Sequence, residues 1–205
     1  MRTIGVVTVS RSDYGIYLPV LRKIQAVPGL ELQLIVAGMH LSPEFGLTIK
    51  SIEADGFEVS DWVEMLLSSD TPEGIAKSMG VGVIGFAQVF ARSCPDMLLV
   101  LGDRFEMHSA VVASLPFNIP VAHIHGGEST EGLIDEPIRH SITKMSHLHF
   151  PSTEAYGKRI IQMGEEPWRV DVVGAPILDE IRDNPRVSTK TILEFLYNFL
   201  RYFFK

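Results

Sequence analysis

The sequence has little of several features that mark special classes of protein. It contains a single cysteine, Cys94, so no disulfide can form within the chain, and we expect a reducing compartment. It has no run of about 18 apolar residues, and residues 1–5 lead directly into a strand pattern without the apolar core of a signal peptide. We therefore expect a cytoplasmic protein that does not span a membrane.

Basic residues are also scarce. The 18 Lys and Arg residues are outnumbered by 25 Asp and Glu residues, and the net charge of −7 argues against nucleic-acid binding through bulk positive charge. A local arginine pocket for a phosphate is compatible with this composition. The length of 205 residues and the hydrophobic content of 46% predict a globular chain of one domain or slightly more.

The chain alternates short apolar runs with longer amphipathic segments. Strands are predicted at residues 4–9, 32–36, 57–65, 97–101, 119–122, 147–150 and 170–173, with helical patterns between most of them. This repetition predicts an α/β fold, a Rossmann-like parallel sheet with helices on both faces.

The composition changes after residue 176. We expect residues 1–176 to form the Rossmann-like N-terminal catalytic domain and residues 177–205 to be a linker and an aromatic tail, with a second domain missing. Four of the eleven Phe residues lie after residue 190. Either the tail is an amphipathic helix that packs on the domain, or it replaces the start of the second domain.

Clusters of ionisable residues follow three of the predicted strands. The carboxyl ends of parallel strands border the ligand crevice of an open α/β sheet, so these clusters predict a site. After the first strand come Arg11, Ser12, Asp13 and Gly15, where we expect a helix to begin. Backbone amides and a guanidinium could bind a phosphate there, and an ordinary solvated loop is the alternative. The missing GxGxxG pattern argues against a nicotinamide dinucleotide.

The fourth predicted strand ends at Gly102, Asp103 and Arg104. Asp103 could contact a substrate hydroxyl or carry a proton, or it could cap the following helix. Glu106 and His108 lie on that helix, and we expect both on the surface.

The fifth predicted strand leads into residues 123–128, with the sequence HIHGGE. His123 and His125 are at strand spacing, so their side chains should share a face. A metal site with Glu128 is conceivable but disfavoured, and a hydrogen-bonded core position is slightly favoured for His123. Gly126 and Gly127 suggest close approach of the backbone to an organic ligand.

Two further carboxylates, Asp135 and Glu136, precede a predicted helix that begins near residue 137. One of them could cap this helix. Arg139 and His140 follow one turn later, at a spacing that allows them to pair with the two carboxylates.

Four of these segments together resemble the UDP-N-acetylglucosamine 2-epimerase family, and its hydrolysing branch in particular. They are RSDYG at residues 11–15, GDRFE at 102–106, HIHGGE at 123–128 and IDEPIRHSITK at 134–144, in this order. The resemblance extends from residue 1 to about residue 185.

The resemblance implies the N-terminal half of a glycosyltransferase-B arrangement, in which two Rossmann-like domains enclose the substrate. It implies loss of the C2 proton of UDP-N-acetylglucosamine, elimination of UDP, and addition of water to the resulting glycal. The ligand would be a UDP-sugar, and the resemblance implies no metal or redox cofactor. A homodimer is compatible with it.

By motif, the resemblance makes Asp103 and Asp135 candidate acid/base residues, and Arg11 and Arg104 candidate contacts of UDP. His125 stands where several relatives have a catalytic Glu, and Glu128 could take that role. Because we expect the second domain to be missing, two functions are open, a hydrolysing 2-epimerase and a catalytically silent nucleotide-sugar-binding module. A glycosyltransferase half fits the fold but explains the carboxylates less well.

Overall fold

The computed structural model describes residues 1–178 and 188–203. These residues form one six-stranded sheet in which all strands are parallel and follow the order β3-β2-β1-β4-β5-β6. The strands are β1 (Arg2–Thr8), β2 (Leu30–Ala37), β3 (Asp61–Val63), β4 (Met97–Leu101), β5 (Val121–Ile124) and β6 (Leu148–Phe150). The predicted α/β class and the parallel sheet are therefore confirmed.

Helices connect the strands and cover both faces of the sheet. They are α1 (Arg11–Ala26), α2 (Ile49–Ala54), α3 (Pro72–Arg92), α4 (Phe105–Ser114), α5 (Asp135–Met145), α6 (Glu154–Gln162) and, near the end of the chain, α7 (Ser188–Phe203). One apolar cluster packs α1, α2 and α7 on the sheet, and a second packs α3, α4 and α5 on the opposite face. Strands covered on both faces bury nearly every residue, as β4 does with its sequence MLLVL.

The edge strand β3 is shorter than the sequence predicts, with three residues in place of nine. Its Trp62 is exposed, and β3 has a partner strand on one side only. Short edge strands offer little unpaired backbone to other chains.

The predicted strand at residues 170–173 is wrong. Val170 forms an isolated bridge with His149, and the backbone amides of Asp171 and Val173 donate to carbonyls of His149 and Pro151. These contacts extend beyond β6 without forming a regular ladder, so the segment lies beside the sheet as irregular chain.

The aromatic tail contains α7, which packs on α1. Ile192, Leu196 and Leu200 are almost completely buried in the same cluster as Tyr17 and Leu21 of α1. The structure has the packed amphipathic helix that was one of the two possibilities for the tail, and the replacement of the start of a second domain stays a prediction. Most of the predicted linker, residues 179–187, lies outside the described residues.

Of the helices in the described part of the chain, α3 alone is long and apolar enough to cross a membrane by length and composition. In this structure α3 packs on α4 and on the sheet, with Phe86, Val89 and Phe90 buried. Its packing on the sheet accounts for these buried residues, whereas Val81 and Ile84 of the same helix are exposed.

Candidate active site

The candidate site lies at the carboxyl edge of the sheet, where the loops after β1, β2, β4 and β5 come together. Because the strands are parallel, these loops all emerge on the same side. The polar residues that the sequence singles out lie on these loops and on the first turns of α1, α4 and α5.

The loop after β1 is only two residues long. Ser10 caps α1, and its Oγ accepts from the backbone amide of Asp13 and lies 2.7 Å from the Oγ of Ser12. Arg11 and Ser12 are exposed at the start of the helix. The expectation that the helix begins near Gly15 is wrong by one turn. Gly15 faces open space, so a side chain there would meet no protein atom within 4 Å.

Asp13 lies beneath this surface, with 6% of the residue exposed. Burial raises the pKa of Asp13 to about 6, against the opposing effect of hydrogen bonds from Ser10 and of the Arg104 charge. Its Oδ2 atom is buried and has no hydrogen-bond partner among the described residues. Asp13 is thus a carboxyl group that can change its charge close to neutral pH.

Asp103 does not cap α4, so that alternative is wrong. The N-cap is Arg104, whose side chain makes no capping hydrogen bond. Asp103 instead forms an ion pair with Arg139 of α5, whose side chain is only 5% exposed. Arg139 also donates to the Oγ1 of Thr130, at 3.0 Å. The pair joins the loop after β4 to α5.

Arg104 forms an ion pair with Glu106, with 2.9 Å between its Nη2 and Oε1. The same Nη2 lies 3.2 Å from the Sδ of Met39, on the loop after β2. Glu106 is completely buried, so its predicted surface position is wrong. The charges of Asp13 and Asp135 also act on Arg104 and raise its pKa together with Glu106, although burial opposes them.

His123 occupies the core position that the sequence favours for it. It is completely buried, its Nε2 donates to the carbonyl of Gly102 at 2.8 Å, and its Nδ1 lies 3.2 Å from the Oγ1 of Thr143. Burial lowers the pKa of His123 to about 3. It is therefore a neutral side chain that links β5 to the loop after β4.

The strand geometry expected for His125 is wrong, because β5 ends at Ile124 and His125 has a left-handed backbone with φ of 63°. Its Nδ1 lies 2.8 Å from the Oε1 of Glu128, which also accepts from Ser152 at 3.0 Å. Its Nε2 is buried without a hydrogen-bond partner among the described residues. Burial raises the pKa of Glu128, but the hydrogen bonds and charge of its neighbours outweigh burial and hold it below its usual value.

Packing within the protein accounts for both glycines of the HIHGGE segment. A Cβ atom at Gly126 would lie 2.9 Å from the Nδ1 of His123, and one at Gly127 would lie 2.5 Å from the carbonyl oxygen of Tyr156. Arg159 also donates to the carbonyl of Gly127. The role of these glycines in ligand binding stays a prediction.

The helix α5 begins at Asp135, without a side-chain cap. Glu136 accepts from the hydroxyl of Ser129 and the amide of Thr130, and its Oε1 lies 3.6 Å from the Nε2 of His140. The expected pairing of α5 residues one turn apart is therefore found for Glu136 and His140, whereas Arg139 pairs with Asp103.

A cavity of about 280 Å³ opens beside Arg104, between the loops after β2, β3 and β4. Met39, Phe45, Leu67 and Phe105 contribute apolar walls. Within residues 1–178 and 188–203, no three His, Cys, Asp or Glu side chains are placed to hold a metal ion.

Sequence reasoning missed Glu106 as a site residue and missed the partners of Asp103 and Glu128. Helical spacing was a usable signal for Glu106, since Ser109, Ala110 and Ala113 follow at intervals of three and four residues and are also buried. The pairing of Asp103 with Arg139 joins residues that are far apart in the chain, so local patterns do not reveal it.

Comparison with known proteins agrees with this geometry. A profile of the UDP-N-acetylglucosamine 2-epimerase family matches residues 22–201. The UDP-N,N'-diacetylbacillosamine 2-epimerase (hydrolyzing) of Legionella pneumophila is 41% identical over 199 residues, which are 97% of this chain and 52% of that protein. The polysialic acid biosynthesis protein P7 of Escherichia coli is 43% identical over 175 residues, 85% of this chain and 45% of that protein.

The fold agrees with solved structures as well. The crystal structure of UDP-GlcNAc 2-epimerase from Neisseria meningitidis bound to UDP-GlcNAc superposes with a TM-score of 0.74 at 20% identity, covering 97% of this chain and 55% of that one. The expected N-terminal half of a glycosyltransferase-B arrangement is thereby confirmed. The chain spans about half the length of the curated relatives that it matches. The family profile covers most of the sequence, and the chain belongs to the UDP-N-acetylglucosamine 2-epimerase family.

Proposed function

We propose that this site carries out hydrolysing 2-epimerisation of a UDP-amino sugar, as part of nonulosonic acid synthesis. The observation that carries the proposal is the meeting of carboxylates and guanidinium groups at the carboxyl edge of the sheet. The ion pair of Asp103 with Arg139 is joined there by Arg104 and by the charge of Asp135. Carboxylates for proton transfer beside cations for a diphosphate are what this reaction requires.

The reaction has two steps. In the first, a base removes the proton from C2, the C1–O bond breaks, and UDP leaves with the bonding electrons, so a 2-acetamidoglucal forms. In the second, a proton returns to C2 from the opposite face and hydroxide from water bonds to C1. The products are UDP and a sugar of the N-acetylmannosamine type.

The contacts at the site support a proposed role for each residue. Asp103 is oriented by its ion pair with the buried guanidinium of Arg139 and is the candidate for removing the C2 proton. Arg104 and Arg11 would contact the diphosphate, together with Ser12 and the backbone at the start of α1. Asp135 acts on Arg104 from the first turn of α5 and is the candidate for the second proton transfer.

His125 and Glu128 form a hydrogen-bonded pair, and we assign a different role to each of them. Glu128 accepts at the Nδ1 of His125, which leaves Nε2 with a free lone pair when the ring is neutral. A carboxylate that fixes the tautomer of a histidine in this way makes the histidine the proton carrier. We therefore assign proton transfer to His125 and its orientation to Glu128.

The names of the relatives suggest the substrate class. The Legionella pneumophila relative is named for UDP-N,N'-diacetylbacillosamine, and the Neisseria meningitidis structure contains UDP-GlcNAc. The Escherichia coli relative is named for polysialic acid biosynthesis. Both UDP-GlcNAc and the diacetamido sugar are therefore substrates to compare.

A second candidate function is a nucleotide-sugar-binding module without catalytic activity. It is favoured by the coverage of only about half of the relatives' length. Interactions that position a substrate account for much of an enzyme's rate, so half of a cleft could bind without reacting.

One experiment separates the two functions. The purified 205-residue chain is incubated with each UDP-sugar in D₂O, and UDP release and deuterium at C2 of the product are measured by NMR. We expect release with deuteration, reduced about 100-fold or more in D103N. Binding by calorimetry without release would support the module, and a folded chain that neither binds nor releases UDP would contradict both functions.

A further inference from the structure

The side chain of Arg104 contacts one completely buried carboxyl group and interacts through its charge with a second one that is almost completely buried. Glu106 contacts it directly and has no exposed surface. Asp13 acts on it through its charge from the first turn of α1 and is 6% exposed. Arg104 itself is about one-third exposed and lines the cavity at the carboxyl edge of the sheet.

The burial of Glu106 requires an explanation, since an unpaired buried charge costs several kcal/mol. Its Oε1 accepts from Arg104, while its Oε2 has no hydrogen-bond partner among the described residues. Gly38 makes room for it, because a Cβ atom there would lie 3.2 Å from the Cγ of Glu106, and the backbone of Gly38 has φ of 60°. The chain therefore accommodates a carboxylate whose described polar contact is Arg104.

Asp13 has a local role as well. It is the third residue after the cap Ser10, whose Oγ accepts from the backbone amide of Asp13, and hydrogen bonding by Ser10 lowers the pKa of its carboxyl group. A capping carboxylate has no need of deep burial, and Oδ2 remains without a partner. The titratable and charged groups that interact with Asp13, or with Arg104 beside it, are Tyr17, His40, Arg104, Glu106 and Asp135.

We propose that Glu106 and Asp13 are positioning residues for Arg104. Glu106 holds the guanidinium group toward the cavity, and Asp13 sets how much of its positive charge is left for an anionic ligand. With both carboxylates ionised, the cation is more than balanced. Protonation of Asp13 leaves one carboxylate against one guanidinium and makes the site more favourable for a diphosphate.

This arrangement couples ligand binding to proton uptake. An anion bound at Arg104 favours the protonated form of Asp13, because it adds negative charge nearby. Affinity for a diphosphate should therefore rise as the pH falls through about 6, the pKa to which burial raises Asp13. A purely capping role for Asp13 predicts no such dependence.

The first test uses the full chain without ligand. The carboxyl carbon of Asp13 is titrated by NMR in the wild type, in E106Q and in R104Q, with E31Q as the control at an exposed carboxylate near the amino end of β2. We expect E106Q to lower the pKa of Asp13, R104Q to raise it, and E31Q to leave it unchanged. If E106Q does not fold, the titration of Asp13 in R104Q alone still tests the proposal. Equal titrations of Asp13 in the wild type and in R104Q would overturn the proposal.

The second test rests on the proposed function. Calorimetry measures the affinity for UDP-GlcNAc, whose diphosphate diester keeps its charge between about pH 5.5 and pH 8. We expect binding to tighten by up to about tenfold over this range in the wild type and in E31Q, but not in D13N. D13N keeps an acceptor for the cap, so a pH dependence retained in D13N would assign it to another group and overturn the coupling. If no variant binds UDP-GlcNAc, the proposed function fails, while the ligand-free titration still decides the positioning role.

Discussion

At the scale of single residues, the loop after β5 requires a glycine at position 127, because a side chain there would clash with the protein. Gly127 has a left-handed backbone with φ of 77°, and the carbonyl oxygen of Tyr156 occupies the space where a Cβ atom would lie. Gly46 has a similar φ of 84° but faces open space. The two positions thus share the backbone requirement and differ in packing.

This difference predicts unequal effects of alanine at the two glycines. G46A should lower the free energy of unfolding by about 1 kcal/mol, the cost of a left-handed backbone for a residue with a Cβ atom. G127A should cost about 1 to 3 kcal/mol more, because it also forces the methyl group against α6. Urea unfolding of both variants measures the difference. Equal losses would show that the loop shifts freely and that Gly127 is not packed as described.

Single residues also show where the sequence is informative about the site. Asp103, Arg104 and Asp135 could be identified because each lies next to the end of an apolar strand or at the start of a helix. Their partners could not, because the pairing of Asp103 with Arg139 depends on how α5 packs beside the loop after β4. Glu106 was misjudged because its charge favours a surface position, although it shares a buried face of α4 with Ser109, Ala110 and Ala113.

At the scale of elements, the strands between two neighbours were the easiest to predict. The apolar run at residues 97–101 coincides with β4, since both faces of that strand are covered. The run at 170–173 is also apolar except for Asp171, but it lies beyond the last strand, where the backbone makes a bridge and no ladder. Local composition does not distinguish these situations, because pairing depends on the neighbouring strand.

The helix α7 gives a prediction at this scale. Leu196 is completely buried against the cluster that contains α1, whereas Tyr197 is 46% exposed. L196A should lower the free energy of unfolding by about 2 to 5 kcal/mol, the usual cost of removing a buried leucine side chain. Y197A should cost less than about 1 kcal/mol. Thermal and urea unfolding of both variants provide the measurement, and equal small effects would mean that α7 contributes nothing to the core.

At the scale of the whole molecule, three completely buried histidines make the free energy of unfolding depend on pH. They lie on different parts of the sheet, His40 after β2, His123 on β5 and His149 on β6. Burial lowers the pKa of His123 to about 3 and the pKa values of His40 and His149 to about 4. All three are therefore neutral in the folded protein at pH values where an unfolded chain would begin to protonate them, near 6.5.

The sign of the effect follows from proton binding. Between pH 6.5 and about 4 the unfolded chain binds more protons than the folded one, so stability falls as the pH falls. Each histidine should lower the free energy of unfolding by about 2 kcal/mol at pH 5, at roughly 1.4 kcal/mol per pH unit. Asp13 opposes this, because its raised pKa means that the folded state takes up a proton as the pH falls through about 6.

We therefore expect the free energy of unfolding to fall by about 4 kcal/mol between pH 7 and pH 5, which is a large part of the stability of an ordinary domain. Urea unfolding across this range measures the loss, and calorimetry in buffers of different ionisation enthalpy measures the protons taken up on unfolding.

H40Q keeps polar groups beside Thr8 and Thr48, which contact both ring nitrogens of His40, and should remove about one-third of the histidine contribution. D13N should do the reverse and steepen the loss, since it removes the opposing group. A free energy of unfolding that stays constant down to pH 5 would mean that these histidines are protonated within the folded protein, and their burial as neutral side chains would be refuted.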